Sequence, residues 1–401
     1  MSESYDFSWE NNFNSKRADG RHVSTLAATM ARLREMKPAL EFSAKFDKLQ
    51  FENWRSKVRE KLRELMCFPE FTEEPEPVMI REIGRDGYRV QRWEFFPDHW
   101  SAVPVLMLIP DGASSDNKVP GALCFPGSAT SKEFLAGEPL LEHPNCQRAR
   151  FPERNAMAQH YVKAGMAAVA FENPGTAELS ELSTAEANQT RVKLSGELIC
   201  AGQHYPGLSV FQKMRFLAWF KELDFVDKSS IITSGHSLGS EPAMILGLLS
   251  DDIAAVVFND FTCDARRREI ATTNLMRDEI RDVNGNWHHV PGIWKWFDFP
   301  DLLAALAPKP LALNEGGVAE HIEQVRKAYA LLGAEDNLSV THYPKFAALN
   351  DESTPEASLP LCDLSVFDYL EHARVDVSDH SFRPEASIKF LKKHFGVEND
   401  T

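Results

Sequence analysis

The 401-residue chain contains no run of 18 or more apolar residues, so no segment reads as a membrane span. Positive charge is scarce. Lys and Arg number 44 against 59 Asp and Glu, for a formal net charge of −15. Phosphate recognition needs concentrated Lys and Arg, so nucleic acid is not an expected partner, and a solvated acidic surface accounts for the balance. The six cysteines are scattered, with no C-x-x-C pair and no H-E-x-x-H motif. That pattern argues for reduced thiols and against a disulfide framework or a zinc site. His288 and His289 are adjacent, and adjacent side chains point apart on a strand or helix. Neither a metal nor another cofactor is expected. The first 20 residues are polar and lack the apolar stretch of a signal peptide, which gives a cytoplasmic expectation. Repeats and low-complexity tracts are absent.

What is present is an alternation of buried-strand runs and amphipathic helices. Residues 1–75 read as a helical N-terminal extension, with Leu26, Met30 and Leu33 at helical spacing, then Trp54, Val58, Leu62 and Leu65. From residue 76 the runs VMIREI, YRVQRWEFF and AVPVLMLIP read as antiparallel strands. Strands GALCF, MAAVAFE, SIITSG, IAAVVFND, PLALNEG and LSVTHYP follow, separated by helices that include 154–164, 209–222, 320–332 and 384–395. Strands alternating with helices predict an α/β fold, a mostly parallel sheet covered on both faces. Two long connections, 261–309 and 345–379, interrupt the rhythm and read as lid-like insertions in a catalytic domain spanning 76–401.

Gly235-His236-Ser237-Leu238-Gly239 is a G-x-S-x-G motif between an apolar strand and an apolar helix. In that setting it predicts a nucleophile elbow of the α/β-hydrolase fold. Ser237 is raised on a strained turn, and the backbone N–H of Leu238 is aimed at a developing oxyanion. The second oxyanion donor is expected from Ser128 or Ala129, in the turn that ends GALCF. The chain order in this fold is Ser, acid, His. It selects His380, on a loop before the last helix, as general base. Two carboxylates compete for the acid: Glu320, the first past the turn that follows PLALNEG, and Asp260, at the end of the preceding strand. Asp264 is a third possibility.

With these pieces the chain resembles the bacterial acetyl-xylan-esterase-like α/β-hydrolases, a group related to dienelactone-hydrolase-type enzymes. The resemblance spans roughly residues 50–396. It rests on FPGSATSKE, NAMAQHYVKAGMAAVAFENPG, GLSVFQKMRFLAWF, GHSLGSEPAM, FNDF, LAPKPLALNEGG and DHSF. It implies a serine esterase acting on small-molecule or oligosaccharide esters, with Ser237, Leu238, the Ser128 region and His380 at the motif positions. Relatives often carry an Asp close to where this chain has Ala319, which leaves the acid open. Glucuronoyl esterases look to use an Arg directly after the nucleophile, where this chain has Leu238, so the resemblance argues against that activity. Trp287, Trp294 and Trp296, in the first insertion, could stack on a sugar or simply pack a lid. A peptidase or amidase on the same fold, and a catalytically impaired sugar-binding relative, are the competing functions. Oligomeric state is not legible.

Overall fold

The computed structural model describes residues 18–128, 130–139, 151–180, 187–272, 285–347 and 364–397, and the side chains of 187–189 are left aside. Helix α1 (Thr25–Glu35) begins where the Ser24 side chain accepts from the N–H of Ala27. Helix α2 (Lys48–Leu65) begins at a reciprocal Asp47–Gln50 capping box. Its buried stripe is Phe51, Trp54, Val58 and Leu62, the helical spacing expected of a face laid on a core.

Among the described residues, nine strands form one sheet in the order β1-β2-β3-β5-β4-β6-β7-β8-β9. Strands β1 (Val78–Arg85), β2 (Tyr88–Phe95) and β3 (Val103–Pro110) are antiparallel, and β3 also meets β5 in antiparallel fashion. From there β5 (Ala167–Ala170), β4 (Val119–Phe125), β6 (Val226–His236), β7 (Ala255–Asn259), β8 (Leu311–Leu313) and β9 (Leu338–Val340) are all parallel. The antiparallel start and parallel remainder agree with the sequence reading.

The central strands are buried on both faces, whereas β1 at the sheet edge is largely exposed. In β3, Val105, Met107 and Ile109 join one apolar layer, while Leu106 and Leu108 join the other. Each such large side chain, fully buried, contributes about 1.5–3 kcal/mol relative to exposure. The connections supply the covering helices. These are α3 (Lys132–Ala136), α4 (Pro152–Asn155), α5 (Met157–Lys163), α6 (Ala187–Cys200), α7 (Tyr205–Phe220), α8 (Ser240–Leu249), α9 (Ala265–Thr272), α10 (Phe299–Ala305), α11 (Ala319–Leu332), α12 (Val366–His372) and α13 (Pro384–Phe395).

Two details differ from expectation. The helix expected over 154–164 is broken at Ala156, whose ψ of 57° leaves the helical region, so α4 and α5 are separate. Among the described residues, the first insertion holds the regular helices α9 and α10, and the second holds α12. Among the described residues, no helix is long and apolar enough to cross a membrane.

Candidate active site

Strand β6 ends at His236, and the chain reverses through a short 3-10 turn, Ser237–Gly239, into α8. Ser237 has φ of 52°, left-handed backbone that a residue with a Cβ adopts only when its surroundings force it. The surroundings do so through the two glycines. A Cβ on Gly235 would lie 2.1 Å from the Gly239 carbonyl oxygen, and one on Gly239 would lie 2.2 Å from that of Phe125. The elbow is therefore wedged against the end of β4, and the loop after β4 lies over it. A Cβ on Gly127 of that loop would stand 3.5 Å from the Ser237 Cβ. Ser128 and Leu238 both line the cleft into which Ser237 opens, and Ala129 lies outside the described residues.

His380 lines the same cleft. Its loop is tied down on both sides. The Asn259 side chain, at the end of β7, donates to the Ser381 carbonyl (3.0 Å) and accepts from the Arg383 N–H (2.8 Å). Asn155 accepts from the Phe382 N–H at 2.7 Å. The imidazole Nδ1 donates to Oε2 of Glu315 at 2.6 Å, and Oε1 of the same carboxylate accepts from the Ser381 N–H at 3.1 Å. Glu315 is fully buried, and the Tyr343 hydroxyl stands 3.3 Å from the same Nδ1. Burial disfavours the imidazolium, but the Glu315 charge and hydrogen bond outweigh it and lift His380 to about 9. Beside it the His236 ring lies with centroids 4.6 Å apart. Burial, then repulsion from His380 and Arg383, holds His236 well below the usual histidine range and therefore neutral.

The carboxylate on His380 is thus neither of the two that the sequence singled out. Glu320 sits exposed in the first turn of α11. Gly316 (φ 63°) and Gly317 (φ 135°) turn the chain sharply directly after Glu315, so the last carboxylate before the turn meets the imidazole and the first one beyond it does not. A Cβ on Gly317 would lie 2.3 Å from the Thr262 carbonyl oxygen, so only glycine lets the turn pack there.

Asp260 does line the cleft, but its carboxylate accepts from the adjacent Phe261 N–H (2.8 Å) and not from His380. Burial pushes its carboxyl up to about 6, against the pull of His380. Asp264 accepts from the Arg267 N–H at 2.8 Å at the start of α9, in the manner of a cap.

The cleft has a volume of about 580 Å³. Trp287 is on its wall, with the Arg191 guanidinium 4.3 Å from the ring centroid. Trp294 and Trp296 are not. Trp294 faces a separate apolar cavity, and Trp296 packs on the core beneath the Lys61 ammonium, 4.2 Å away. Two groups of described side chains bring donor atoms close enough to share a cation: His236, Glu315 and His380, and Glu133, Glu172 and Glu178. In the second the Lys132 ammonium already contacts all three carboxylates, at 2.8, 2.9 and 2.5 Å. Tyr343, Asn155, Asn259 and Glu315 were not singled out by sequence. For Glu315 a signal existed, a carboxylate ending the strand just before paired glycines.

This arrangement agrees with what the chain is similar to. The model of the Abhydrolase family matches residues 6–393. No curated protein matches the chain. Among solved structures, a candidate acetyl xylan esterase from Bacteroides fragilis is 37% identical, with a TM-score of 0.88 over 96% of this chain and 98% of the other. Methylesterase BT1017 (TM-score 0.57, 16% identity, 92% of this chain and 68% of that one) shares the fold. So does a glucuronoyl esterase from Solibacter usitatus (0.52, 12%, 90% and 100%). The chain therefore belongs to the Abhydrolase family, as an acetyl-xylan-esterase-like α/β-hydrolase equipped to cleave carboxylic esters.

Proposed function

We propose that the protein is a serine esterase that removes an O-acyl group, acetyl or longer, from a carbohydrate through an acyl-enzyme on Ser237. The observation that carries this reading is His380, held from behind by the buried Glu315, on the wall of the same cleft as the strained Ser237. In the first half-reaction Oγ of Ser237 attacks the ester carbonyl and His380 takes its proton. Glu315 holds the imidazole by Nδ1 and stabilises the imidazolium that forms. The backbone N–H groups of Leu238 and Ser128 are the candidates to bind the oxyanion. The C–O bond to the alcohol then breaks, and His380 returns the proton to the leaving sugar oxygen. Water repeats the sequence on the acyl-enzyme and releases the acid.

The carbohydrate side of the reading is supported by the Bacteroides fragilis relative and by a cleft that offers Trp287 beside polar groups. A buried carboxylate on the base supports catalysis over a purely sugar-binding role. The test is labelling of Ser237 by a fluorophosphonate, together with acetate release from acetylated xylo-oligosaccharides. Ser237→Ala should lose both, since removing a nucleophile typically costs many orders of magnitude. A folded Ser237→Ala protein that keeps most of its activity would overturn the reading. Turnover of an aminoacyl anilide in preference to p-nitrophenyl acetate would move the activity to amides.

A further inference from the structure

A second cavity, of about 270 Å³, adjoins the catalytic cleft. Glu241, His288 and Phe299 line both, so the two spaces share a wall. Beside Phe299 that wall holds a polar pair: Nδ1 of His288 stands 2.5 Å from Oε1 of Glu241, and Glu241 lies one helical turn beyond the nucleophile in α8. Past the pair the lining changes character. Leu33, Met36, Val290, Ile293 and Trp294 supply its apolar surface, with His289 and Lys295 also on the lining.

Two of these residues come from the N-terminal segment, and that segment is fixed in place. One Arg266 nitrogen donates to the carbonyls of both Leu33 (2.8 Å) and Met36 (2.5 Å) at the end of α1. Directly afterwards the N–H groups of Ala39 and Leu40 donate to the carbonyls of Lys295 (2.9 Å) and Trp296 (2.7 Å). Arg266 is itself buried, so this is a built wall and not a chance approach of two surfaces.

An ester has two halves, and the two compartments differ as those halves do. The larger cleft carries the nucleophile and sets Asp260, Arg268 and Trp287 among apolar side chains such as Phe261 and Val377, so it holds the charged and polar groups that a sugar alcohol would engage. The smaller chamber is mostly apolar and far larger than an acetyl methyl requires. Its volume is just under the roughly 300–1,000 Å³ of pockets that enclose whole ligands, the size for one part of one. We propose that the chamber behind Glu241 and His288 receives the hydrocarbon tail of the acyl group, so that the preferred ester carries an acyl chain several carbons longer than acetyl. This inference rests on the esterase reading above. It assigns α1 a part in substrate selection.

The test is a series of p-nitrophenyl acetate, butanoate and hexanoate with the full chain. Burying each further methylene is worth roughly fourfold, so kcat/KM should rise at least about tenfold from acetate to hexanoate. Met36→Trp and, separately, Val290→Phe fill the chamber, and each should cut the hexanoate-to-acetate ratio about tenfold. Two positions on different segments guard against one variant failing to fold, and thermal unfolding checks both. A readout independent of turnover is calorimetric binding of hexanoate and acetate to Ser237→Ala. Hexanoate should bind, acetate should bind much more weakly, and Met36→Trp added to Ser237→Ala should remove the difference. If acetate is the best ester and neither filling variant alters the ratio, the proposal is wrong, while the esterase reading stands. If no ester is turned over, that reading fails, and the hexanoate titration alone decides the chamber: no binding overturns it.

Discussion

Glu315 and His380 lie 65 residues apart in the chain and are joined by a 2.6 Å hydrogen bond. Neither can take its place without the other's surroundings. The glycine turn holds the carboxylate, and Asn259 and Asn155 hold the loop that carries the imidazole.

If Glu315 orients and charges the base, Glu315→Gln should lower kcat by about 10²–10⁴ in a protein that still folds. Glu320→Gln should stay near the wild-type rate, because that side chain is exposed on α11. Asp260→Asn should fall between them, since its charge reaches His380 without a hydrogen bond to it. Steady-state kinetics on the three purified variants checks the order. A folded Glu315→Gln at full rate would remove Glu315 from the reaction.

The pH dependence follows from His380. The base must be neutral to accept a proton, and its folded value is raised to about 9 by Glu315 acting against burial. The logarithm of kcat/KM should therefore climb through pH 7–8 and level off near 9. Stability runs the other way. A histidine raised above its ordinary 6.5 contributes stability that is fully present below that value and lost as pH rises through about 9. Activity and melting temperature should thus diverge over pH 7–9. In Glu315→Gln the kinetic inflection should move to lower pH. An inflection that stays put in that variant would argue against the charge pairing.

Asn259→Ala should damage stability and rate together. The amide satisfies the Ser381 carbonyl and the Arg383 N–H, and leaving a buried polar group unpaired costs about 1–3 kcal/mol. The loop that carries His380 should loosen, so kcat falls more than KM rises. Chemical denaturation beside kinetics gives both quantities. Unchanged stability would mean that the loop is held by other contacts.

Gly239→Ala should prevent the elbow from closing, because the new methyl would sit 2.2 Å from the backbone oxygen of Phe125. Gly127→Ala should be milder. Its nearest neighbour is the His236 ring, at 3.2 Å, and a side chain can move where a backbone carbonyl cannot. Soluble yield and the melting curve should rank Gly239→Ala well below Gly127→Ala. Equal behaviour would contradict the close packing of β4 on the elbow.

Much of the fold was legible because the strands that build the sheet are long apolar runs and the helices between them are amphipathic. Ser237 was legible for a local reason: two glycines and a serine are what the strand–turn–helix reversal requires, and they are adjacent in sequence. His380 was legible from chain order and from Pro384 opening the last helix. The acid was not. Counting forward from the strand passes over Glu315, since nothing local says on which side of a glycine turn a carboxylate will face another loop. Asn259 and Asn155 were equally hidden, because their partners are backbone groups 122 and 227 residues away. The aromatic insertion split for a related reason. Trp287, Trp294 and Trp296 are close in sequence, but short helical turns send them to three different surroundings.

Helix α2 belongs to the same apolar layer as the sheet. Phe51, Trp54, Val58, Leu62 and Met66 share one core with Val105, Ile231 and Val256. Arg55 and Arg63 donate to the carbonyls of Ala307 and Leu249, at the ends of other elements, both at 2.7 Å. The stretch before the first strand and the body after it therefore cannot be inherited as interchangeable modules. A recombination event that joined this body to a foreign leader would strand an apolar face in water. Substitutions in either part are answerable to the other, and the two should drift in step over evolutionary time.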